Sequence, residues 1–280
     1  MMVTSAHGRT REIASPSNQL VKVFRRALAD GTTREGWLAV EGPMLVGEAL
    51  QAADEAAAVR VTIESVLVGR SAAAKFSELI GRLPKEAEVT EVPDPVFQSV
   101  AQTETPQGIA ALVELAAPSL DDVLARPDAL LVVACGVQDP GNLGTMMRSA
   151  QALGATALVT LPATVSPFNP KAARSSAGAV FRLPVFRNLA LEELVERLRA
   201  VGVRTVAADS HGPATVAEAD LRGRVALLIG NEAAGLDEAA ARQADLRVSI
   251  PIRPGADSVN AAVAAGIFLY EAARQRGFKY

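Results

Sequence analysis

The chain has 280 residues, with 28 lysines and arginines against 31 aspartates and glutamates, for a formal net charge of −3. Hydrophobic residues make up 49% and charged residues 21% of the sequence, a composition that excludes a disordered or collagen-like chain. Because there is one cysteine, Cys135, and there are two histidines, neither a disulfide framework nor a metal site built from these residue types is expected.

No segment predicts a membrane span or a secretory leader. The longest uncharged run, residues 149–170, is broken by one glycine and three prolines. The N-terminal sequence MMVTSAHGRTREIAS has no apolar core of the kind found in signal peptides. We therefore expect a cytoplasmic protein without a membrane partner.

The N-terminal part predicts a small domain of alternating helices and strands. Apolar residues at helical spacing follow Ser17, a candidate helix cap, and the helix is expected to end before Gly31. Further elements are expected as strands near 37–41, 59–68, 89 and 108–115, and as helices that begin near residues 43, 71 and 95. The proline-flanked stretch 116–127 predicts a linker, so the domains are placed at residues 1–118 and 119–280.

The second half predicts a parallel α/β domain. Continuous apolar runs, which are typical of strands buried on both faces, predict strands at 130–135, 155–161, 203–208, 225–230 and 246–250. Helices are expected at 142–153, 191–200 and 258–276. This alternation indicates a parallel sheet with helices on both faces.

Three loops that follow predicted strands have an unusual composition. In chain order they contain DPGNLGTMMRSAQALGA, LLIGNEAAGL and IPIRPGADSVNAAVAAGIFLYEAARQR. Loops at the carboxyl ends of parallel strands form the ligand sites of α/β proteins. Each loop also has a purely structural interpretation: helix capping by Asn142 and a surface role for Arg148, a capping turn after Gly230, and helix capping by Ser258 and Asn260.

Several other kinds of site are not supported. No Gly-x-Gly-x-x-Gly follows a strand, as a dinucleotide-binding domain requires, and no Gly-Lys-Ser/Thr follows the glycines of the first loop. The Gly-x-Ser-x-Gly of serine hydrolases is also absent from the sequence. Cys135 ends an apolar strand, so we interpret it as a small buried hydrophobic residue rather than a nucleophile.

Taken together, the three loops resemble in order and spacing the three motifs of the SpoU (TrmH-like) branch of the SPOUT methyltransferases, over roughly residues 129–276. The segments WLAVEGPMLVGEAL and VFQSVAQTETPQGIAALVE resemble the N-terminal substrate-binding domain of many family members, a small ribosomal-protein-like α/β module. The resemblance implies a homodimer that transfers a methyl group from S-adenosylmethionine (AdoMet) to a ribose 2′-hydroxyl of structured RNA. It also implies that the parallel α/β domain contains a deep C-terminal trefoil knot.

The resemblance implies roles for residues in all three motifs. Carried over position by position, the catalytic residues are Asn142, Arg148, Glu232, Ser258 and Asn260. The cofactor contacts fall, largely through backbone atoms, on Gly230, Ile250 and Val259, with their neighbours Ile229, Asn231 and Ile252.

The chemistry of ribose methylation constrains the role of Arg148. The pKa of free arginine lies far above neutral pH, so a neutral arginine at pH 7 costs roughly 9 kcal/mol. We therefore expect Arg148 to stabilise developing alkoxide charge and to hold a nearby phosphate, although a role as general base is the alternative. Asn142 is expected to hold Arg148 or the ribose, and Glu232 to orient the arginine or to fix loop N–H groups.

Two basic segments are candidates for RNA contact. Residues 161–190 contain Lys171 and Arg174 and no acidic residue, and we expect these two side chains to engage RNA phosphates near the target ribose. Arg25 and Arg26, on the first helix, are expected to add a second contact. Solvated surface charge is the alternative interpretation of each segment.

The final helix is rich in alanine and glycine on one side. Because small residues allow a second helix to approach closely, we expect this helix to contribute to a dimer interface, and packing inside the chain is the alternative.

The resemblance of the N-terminal part to the rRNA-directed branch favours 23S ribosomal RNA as substrate over tRNA. A non-catalytic RNA-binding protein of the same fold and a dinucleotide-dependent oxidoreductase are further alternatives. AdoMet binding and competition by NAD distinguish them.

Overall fold

The structure, a computed structural model, describes residues 10–231, 235–256 and 258–279. Its strands are β1 (Thr10–Glu12), β2 (Leu38–Glu41), β3 (Arg60–Gly69), β4 (Glu88–Val92), β5 (Ile109–Ala116), β6 (Leu130–Ala134), β7 (Ala157–Thr160), β8 (Val185–Phe186), β9 (Arg204–Ala208), β10 (Ala214–Thr215), β11 (Val225–Ile229) and β12 (Leu246–Ser249). Its α-helices are α1 (Gln19–Asp30), α2 (Pro43–Asp54), α3 (Arg70–Lys75), α4 (Ser77–Gly81), α5 (Asp94–Gln98), α6 (Leu120–Leu124), α7 (Pro140–Ala152), α8 (Pro170–Ser175), α9 (Leu191–Ala200), α10 (Glu238–Gln243) and α11 (Ala261–Gln275). A short 3₁₀ helix covers Ala179–Phe181.

Contacts divide the chain into two compact units. The first contains the described residues up to Ala116 together with Phe168–Phe181, and the second contains Ala117–Pro167 and the residues from Arg182 onwards. The sequence instead placed one boundary between residues 118 and 119, with all of 168–181 in the second domain. The physical reason for the difference is apolar burial, because Val180 and Phe181 are buried in an apolar cluster of the first unit that includes residues of α2.

The first unit contains a mixed five-stranded sheet in the order β1-β4-β3-β5-β2. Strands β1, β4 and β3 pair in parallel, whereas β5 is antiparallel to both β3 and β2. Alternate residues of β3 point to opposite faces: Val66 and Val68 join one apolar cluster and Leu67 joins another. Both faces of this sheet are therefore covered by apolar side chains.

Helix α1 has the predicted apolar spacing but a different cap. Asn18 rather than Ser17 is the N-cap, because its side chain accepts a hydrogen bond of 2.9 Å from the N–H of Leu20. Gly31 ends the helix in the left-handed conformation with a φ of 92°, as the stop signal predicts. A Cβ atom at this position would lie 1.9 Å from the carbonyl oxygen of Phe168, so the packing of segment 168–181 also requires glycine here.

The predicted linker contains a helix, so that prediction is wrong for residues 120–124. Helix α6 begins after Ser119, whose hydroxyl accepts from the N–H of Asp122 while the Asp122 carboxylate accepts from the N–H of Ser119. This reciprocal capping box starts the helix, and three apolar side chains then anchor it in the core of the second unit: Leu120, Val123 and Leu124. The flanking prolines suggested a linker, but the Ser-x-x-Asp spacing between them was the informative signal.

The second unit contains a seven-stranded sheet in the order β10-β12-β9-β11-β6-β7-β8. Every ladder between these strands in the described residues is parallel. All residues of β6, β7 and β11 are buried, as their continuous apolar runs predict. The predicted parallel α/β architecture is confirmed.

The last helix, α11, turns its small residues towards its own unit. Ala261, Ala265 and Ala272 are buried, and the helix packs on α7 and β11. Packing inside the chain, the alternative interpretation, is therefore correct for this side of the helix. At 15 residues, α11 is the longest helix described, and within the described ranges none is both long and apolar enough to cross a membrane.

The end of α11 is fixed by Arg276, the residue that follows it. The guanidinium donates hydrogen bonds to the carbonyl oxygens of Asp128, Leu221 and Gly223. Burial lowers the pKa of Arg276, against a smaller raising effect of the Asp128 carboxylate. This side chain therefore links the final helix to the loops that precede β6 and β11.

Replacing Arg276 with methionine should lower the free energy of unfolding by about 2 kcal/mol, because three carbonyl groups lose a charged donor while the apolar stem is kept. Denaturant unfolding measures the change. Arg274→Met is the matched control, since Arg274 is exposed and, among the residues that the structure describes, forms its ion pair with Glu271 alone. Its effect should be clearly smaller, and equal losses for the two variants would contradict an anchoring role.

Candidate active site

A cavity of about 1540 Å³ opens in the second unit at the edge where its parallel strands end. Its wall includes the residues that directly follow five strands, namely Cys135 after β6, Leu161 after β7, Asp209 after β9, Gly230 after β11 and Ile250 after β12. Ligands of α/β proteins bind at this edge of a sheet. The volume exceeds the roughly 300–1,000 Å³ of an ordinary small-molecule pocket, so a ligand of AdoMet's size has room.

Two residues of the second motif, Asn231 and Gly235, meet on the cavity wall. Asn231 and Gly235 exchange two backbone hydrogen bonds of 2.8 and 3.0 Å, so the chain returns on itself directly after β11. A Cβ atom at Gly230 would lie 2.2 Å from the backbone of Gly235 and Leu236, and this close approach explains the glycine. Asn231 then donates from Nδ2 to the carbonyl oxygen of Gly136 at 2.7 Å, which ties the second motif to the loop after β6.

The third motif meets the first through two amide side chains. The Oδ1 atom of Asn260 caps α11 by accepting from the N–H groups of Ala262 and Val263, at 2.9 and 3.2 Å. Its Nδ2 atom donates to Oδ1 of Asn142 at 2.9 Å. One side chain therefore both starts the last helix and contacts the first motif, and the predicted start of this helix at residue 258 is corrected to Ala261.

The first motif differs in detail from its prediction. Asp139, not Asn142, caps α7, because its carboxylate accepts from the N–H of Asn142 at 2.8 Å. Arg148 lies six residues further along α7, about 9 Å along the helix axis. It is exposed and makes no hydrogen bond or ion pair with the part of the chain that the structure describes. The expected contact between Asn142 and Arg148 is therefore absent from these residues, and Asn142 contacts Asn260 instead.

The residues predicted to contact the cofactor lie on or beside the cavity wall. The wall includes Gly230, Asn231, Ile250, Ile252 and Val259, together with Ser258 from the predicted catalytic set. Ile229 is buried in β11 directly before Gly230. Glu232, which the resemblance made catalytic, lies outside the described residues.

The predicted RNA-binding residues all lie in the first unit, on two helices that pack together. Arg25 and Arg26 are on α1, and Lys171 and Arg174 are on α8. Arg25 has a local partner, since it donates to the carbonyl and hydroxyl oxygens of Ser99 at 3.1 and 3.0 Å. Two segments far apart in sequence therefore form one neighbouring pair of basic helices.

Three polar residues of the second unit were missed in the sequence. Thr164 donates to the carbonyl oxygen of Ala134 and accepts from the N–H of Gly136, both at 3.0 Å, which joins the loops after β6 and β7. Asp209 and Arg247 lie on the cavity wall and pair with each other. The position of Asp209 in the sequence could have identified it, because it directly follows a predicted parallel strand, where ligand-binding loops begin.

Other chemistry receives no support from the described residues. Burial raises the pKa of the Cys135 thiol to about 12, so the side chain stays protonated at neutral pH, which does not favour nucleophilic catalysis. Among the described residues, no group of three or more His, Cys, Asp or Glu side chains is placed to hold a metal ion.

These features define the class of protein. Residues 129–270 match the family model of the SpoU rRNA methylase family, and residues 26–111 match that of the MRM3-like substrate binding domain. The chain belongs to the SpoU rRNA methylase family. The predicted activity class, an AdoMet-dependent RNA ribose 2′-O-methyltransferase, is confirmed.

Particular relatives cover most of the chain. It is 33% identical over 265 residues to the 23S rRNA (guanosine(2553)-2′-O)-methyltransferase RlmP of Bacillus subtilis, covering 93% of this chain and 98% of the relative. It is 38% identical over 213 residues to the 23S rRNA (uridine(2479)-2′-O)-methyltransferase of Streptomyces viridochromogenes, covering 74% of each. The crystal structure of the SpoU methyltransferase AviRb from S. viridochromogenes with AdoMet matches with a TM-score of 0.79 and 32% identity, over 94% of this chain and 100% of that one.

Two substitutions separate the capping role of Asn260 from its contact with Asn142. Asn260→Asp keeps the capping oxygen but removes the Nδ2 donor, so unfolding free energy should stay near that of the native protein while RNA methylation falls. Asn260→Ala should lower both, with a stability loss of about 1 kcal/mol from the missing cap. Denaturant unfolding and incorporation of labelled methyl groups measure the two effects, and native activity in Asn260→Asp would assign Asn260 to capping alone.

Proposed function

We propose that this chain methylates a ribose 2′-hydroxyl in 23S ribosomal RNA. The observation that carries the proposal is the position of the cavity, which opens at the strand ends and is lined by residues of the second and third motifs. Asn260, between the lining residues Val259 and Ala261, bonds to Asn142 of the first motif. Two relatives that cover most of the chain are named for ribose methylation of 23S rRNA, which favours rRNA over tRNA. One of them modifies a uridine and the other a guanosine, so the proposal does not extend to the base.

The cavity fits the proposed methyl donor, which supplies a methyl group already activated on a sulfonium. Apolar side chains such as Leu161, Ile250 and Phe268 give a wall suited to an adenine ring. The loops at Gly230 and Val259 offer backbone groups for its polar edge, with Ile229, Asn231 and Ile252 beside them. The chain must then align the ribose oxygen and stabilise the charge that develops as the hydroxyl proton leaves.

Arg148 supplies that stabilisation in our proposal. A guanidinium keeps its charge at neutral pH, and the exposed position of Arg148 leaves it accessible to an RNA ribose and its phosphate. The bond between Asn142 and Asn260 positions the starts of α7 and α11, and Ser258 lies on the cavity wall next to Val259. Glu232 retains its proposed role of orienting the guanidinium or fixing loop N–H groups.

Replacing Arg148 with methionine should lower methyl transfer to 23S rRNA by at least about 100-fold, because a donor to the developing charge is lost. AdoMet affinity, measured by calorimetry, should stay within about twofold. Transfer is measured with labelled AdoMet and in vitro transcribed 23S rRNA, with 16S rRNA and tRNA as competing substrates. The modified nucleotide is mapped by primer extension.

Arg126→Met is the control, since Arg126 is an arginine of the same unit paired with Asp128. Undiminished transfer by Arg148→Met contradicts its role, and transfer to tRNA alone contradicts the proposed substrate.

The first unit is proposed to be the ribosomal-protein-like domain that binds the RNA substrate. The match of residues 26–111 to a substrate-binding domain supports this role, as do the basic side chains on α1 and α8. Lys171, Arg174, Arg25 and Arg26 contact phosphates in the proposal, and Arg25 also fixes the loop at Ser99.

Changing Lys171 and Arg174 together to glutamate should weaken RNA binding and reduce its dependence on salt, while AdoMet affinity stays unchanged. Filter binding at several salt concentrations measures the effect. Arg82→Glu with Lys85→Glu is the matched control. These two basic residues are exposed and have the same three-position spacing as Lys171 and Arg174, but they lie before β4 and not on α8. An equal loss for both double variants would indicate a general charge effect and contradict a specific contact.

The deep C-terminal knot is also part of the proposal. The path of the chain supports it. Strand β12 lies two positions from β11 in the sheet order, and the chain then returns to α11, which packs on α7. Asn231 and Gly235, which bond to each other, lie between β11 and β12 in sequence. The cytoplasmic location stays a prediction.

The homodimer is proposed on a different face of α11 from the one the sequence indicated. Val263 and Tyr270 are seven residues apart, thus on one side of the helix, and are 52% and 54% exposed. Phe278 is 44% exposed, and its ring lies 5.8 Å from that of Tyr270, which extends an apolar surface suited to a second copy. Sedimentation at micromolar concentration should give a dimer that Tyr270→Glu weakens, and a monomeric native protein would contradict this part of the proposal.

A further inference from the structure

The charged side chains on the cavity wall are complementary in sign to the charged groups of AdoMet. The described wall carries four carboxylates: Glu192, Asp209, Asp237 and Glu238. Its single lysine or arginine among the described residues is Arg247. AdoMet carries two positive groups, the sulfonium and the α-ammonium, and one negative group, the α-carboxylate. A mostly acidic wall with one guanidinium therefore suits this donor, and the guanidinium is the natural partner for its carboxylate.

Arg247 is held in a defined orientation by Asp209. Strands β12 and β9 pair in parallel, with Arg247 opposite Ala207, so Asp209, the residue directly after β9, lies two positions beyond Ala207. The Nε atom of Arg247 donates to Oδ2 of Asp209 at 2.6 Å, and the other carboxylate oxygen accepts from the N–H of His211 at 2.9 Å. The Asp209 side chain is only 13% exposed, so both of its oxygens are engaged in a largely buried position.

The electrostatics of the pair keep both groups charged. Burial would raise the pKa of Asp209, but the His211 N–H and the Arg247 guanidinium outweigh it and hold that pKa below its usual range. The hydrogen bond that Arg247 donates to Asp209 correspondingly raises the pKa of Arg247.

The bonding of Arg247 leaves one edge of its guanidinium for a ligand. Its Nε atom is engaged, whereas Nη1 and Nη2 make no hydrogen bond within the described residues. These two nitrogens form the planar fork that binds a carboxylate through two parallel bonds. Arg247 is on β12, and Ile250, one of the proposed adenine contacts, directly follows that strand.

We propose that Arg247 binds the α-carboxylate of the methionine portion of AdoMet, with Asp209 as its positioning residue. The inference rests on the proposed function, because it assumes that the cavity takes AdoMet. A guanidinium of this kind also suits an RNA phosphate, but Arg247 shares the wall with the buried strand ends, which favours the smaller ligand.

The test compares ligands that differ only in the amino-acid portion. AdoMet and S-adenosylhomocysteine carry the α-carboxylate, whereas 5′-methylthioadenosine has the same adenosine and sulfur but no amino acid. Calorimetry on Arg247→Gln should show affinity for the first two falling about 10- to 100-fold, the range expected for loss of hydrogen bonds to a charged group. Affinity for 5′-methylthioadenosine should stay within about twofold of the native protein.

Matched variants make each outcome decisive. Arg222→Gln should change no affinity, because Arg222 donates from Nε to Asp220 at 2.9 Å in the same way but does not line the cavity. Arg247→Lys keeps the charge without the fork, should give an intermediate loss for the two carboxylate ligands alone, and decides the question if the glutamine variant does not fold.

Three results would overturn the inference: an equal loss for 5′-methylthioadenosine, no loss for any ligand, or a loss of RNA affinity with AdoMet affinity unchanged. A native protein that binds neither AdoMet nor S-adenosylhomocysteine would instead contradict the proposed function itself.

Discussion

The candidate site depends on the parallel pairing of five neighbouring strands, in the order β12-β9-β11-β6-β7. Because parallel strands end at the same edge of a sheet, five loops from distant parts of the sequence meet there. Side-chain contacts then fix those loops to one another. Asn231 ties the loop after β11 to the loop after β6, and Thr164 ties that loop to the one after β7.

Close backbone approach is the second requirement of this arrangement. The chain after β11 must return at once, and a side chain at Gly230 would overlap the backbone at Gly235 and Leu236. A second close approach occurs in the first unit, where Gly31 faces the carbonyl oxygen of Phe168. In both places the glycine is explained by a neighbour that is distant in sequence or on the far side of a loop, not by the turn alone.

The parts of the fold that sequence could predict are those set by local patterns. Buried parallel strands such as β6 and β11 have continuous apolar runs, and α9 has regular helical spacing, so both kinds of element are evident without tertiary information. Segment 168–181 could not be assigned in this way, because its burial depends on partners from the other end of the chain. The partner of the small-residue side of α11 was hard to predict for a related reason, since small residues suit both a dimer interface and a tightly packed interior.

The site shows the same division between local and distant information. The resemblance implied that Gly230, Ile250 and Val259 contact one cofactor, and all three lie on the wall of one cavity. The partners of individual polar side chains were much harder to predict. Asn142 was expected to hold Arg148 or the ribose. The rise and rotation of α7 separate Asn142 from Arg148, and Asn142 instead accepts a hydrogen bond from Asn260 at the start of α11.

Asn260 shows why structural and functional interpretations of one residue need not compete. An amide side chain has an oxygen that accepts and a nitrogen that donates. At this position the oxygen satisfies the first N–H groups of α11, and the nitrogen reaches Asn142 on a different helix. Serine and aspartate can cap a helix equally well but offer no such amide donor. The choice of asparagine is therefore explained by the contact with the first motif, since capping alone does not require it.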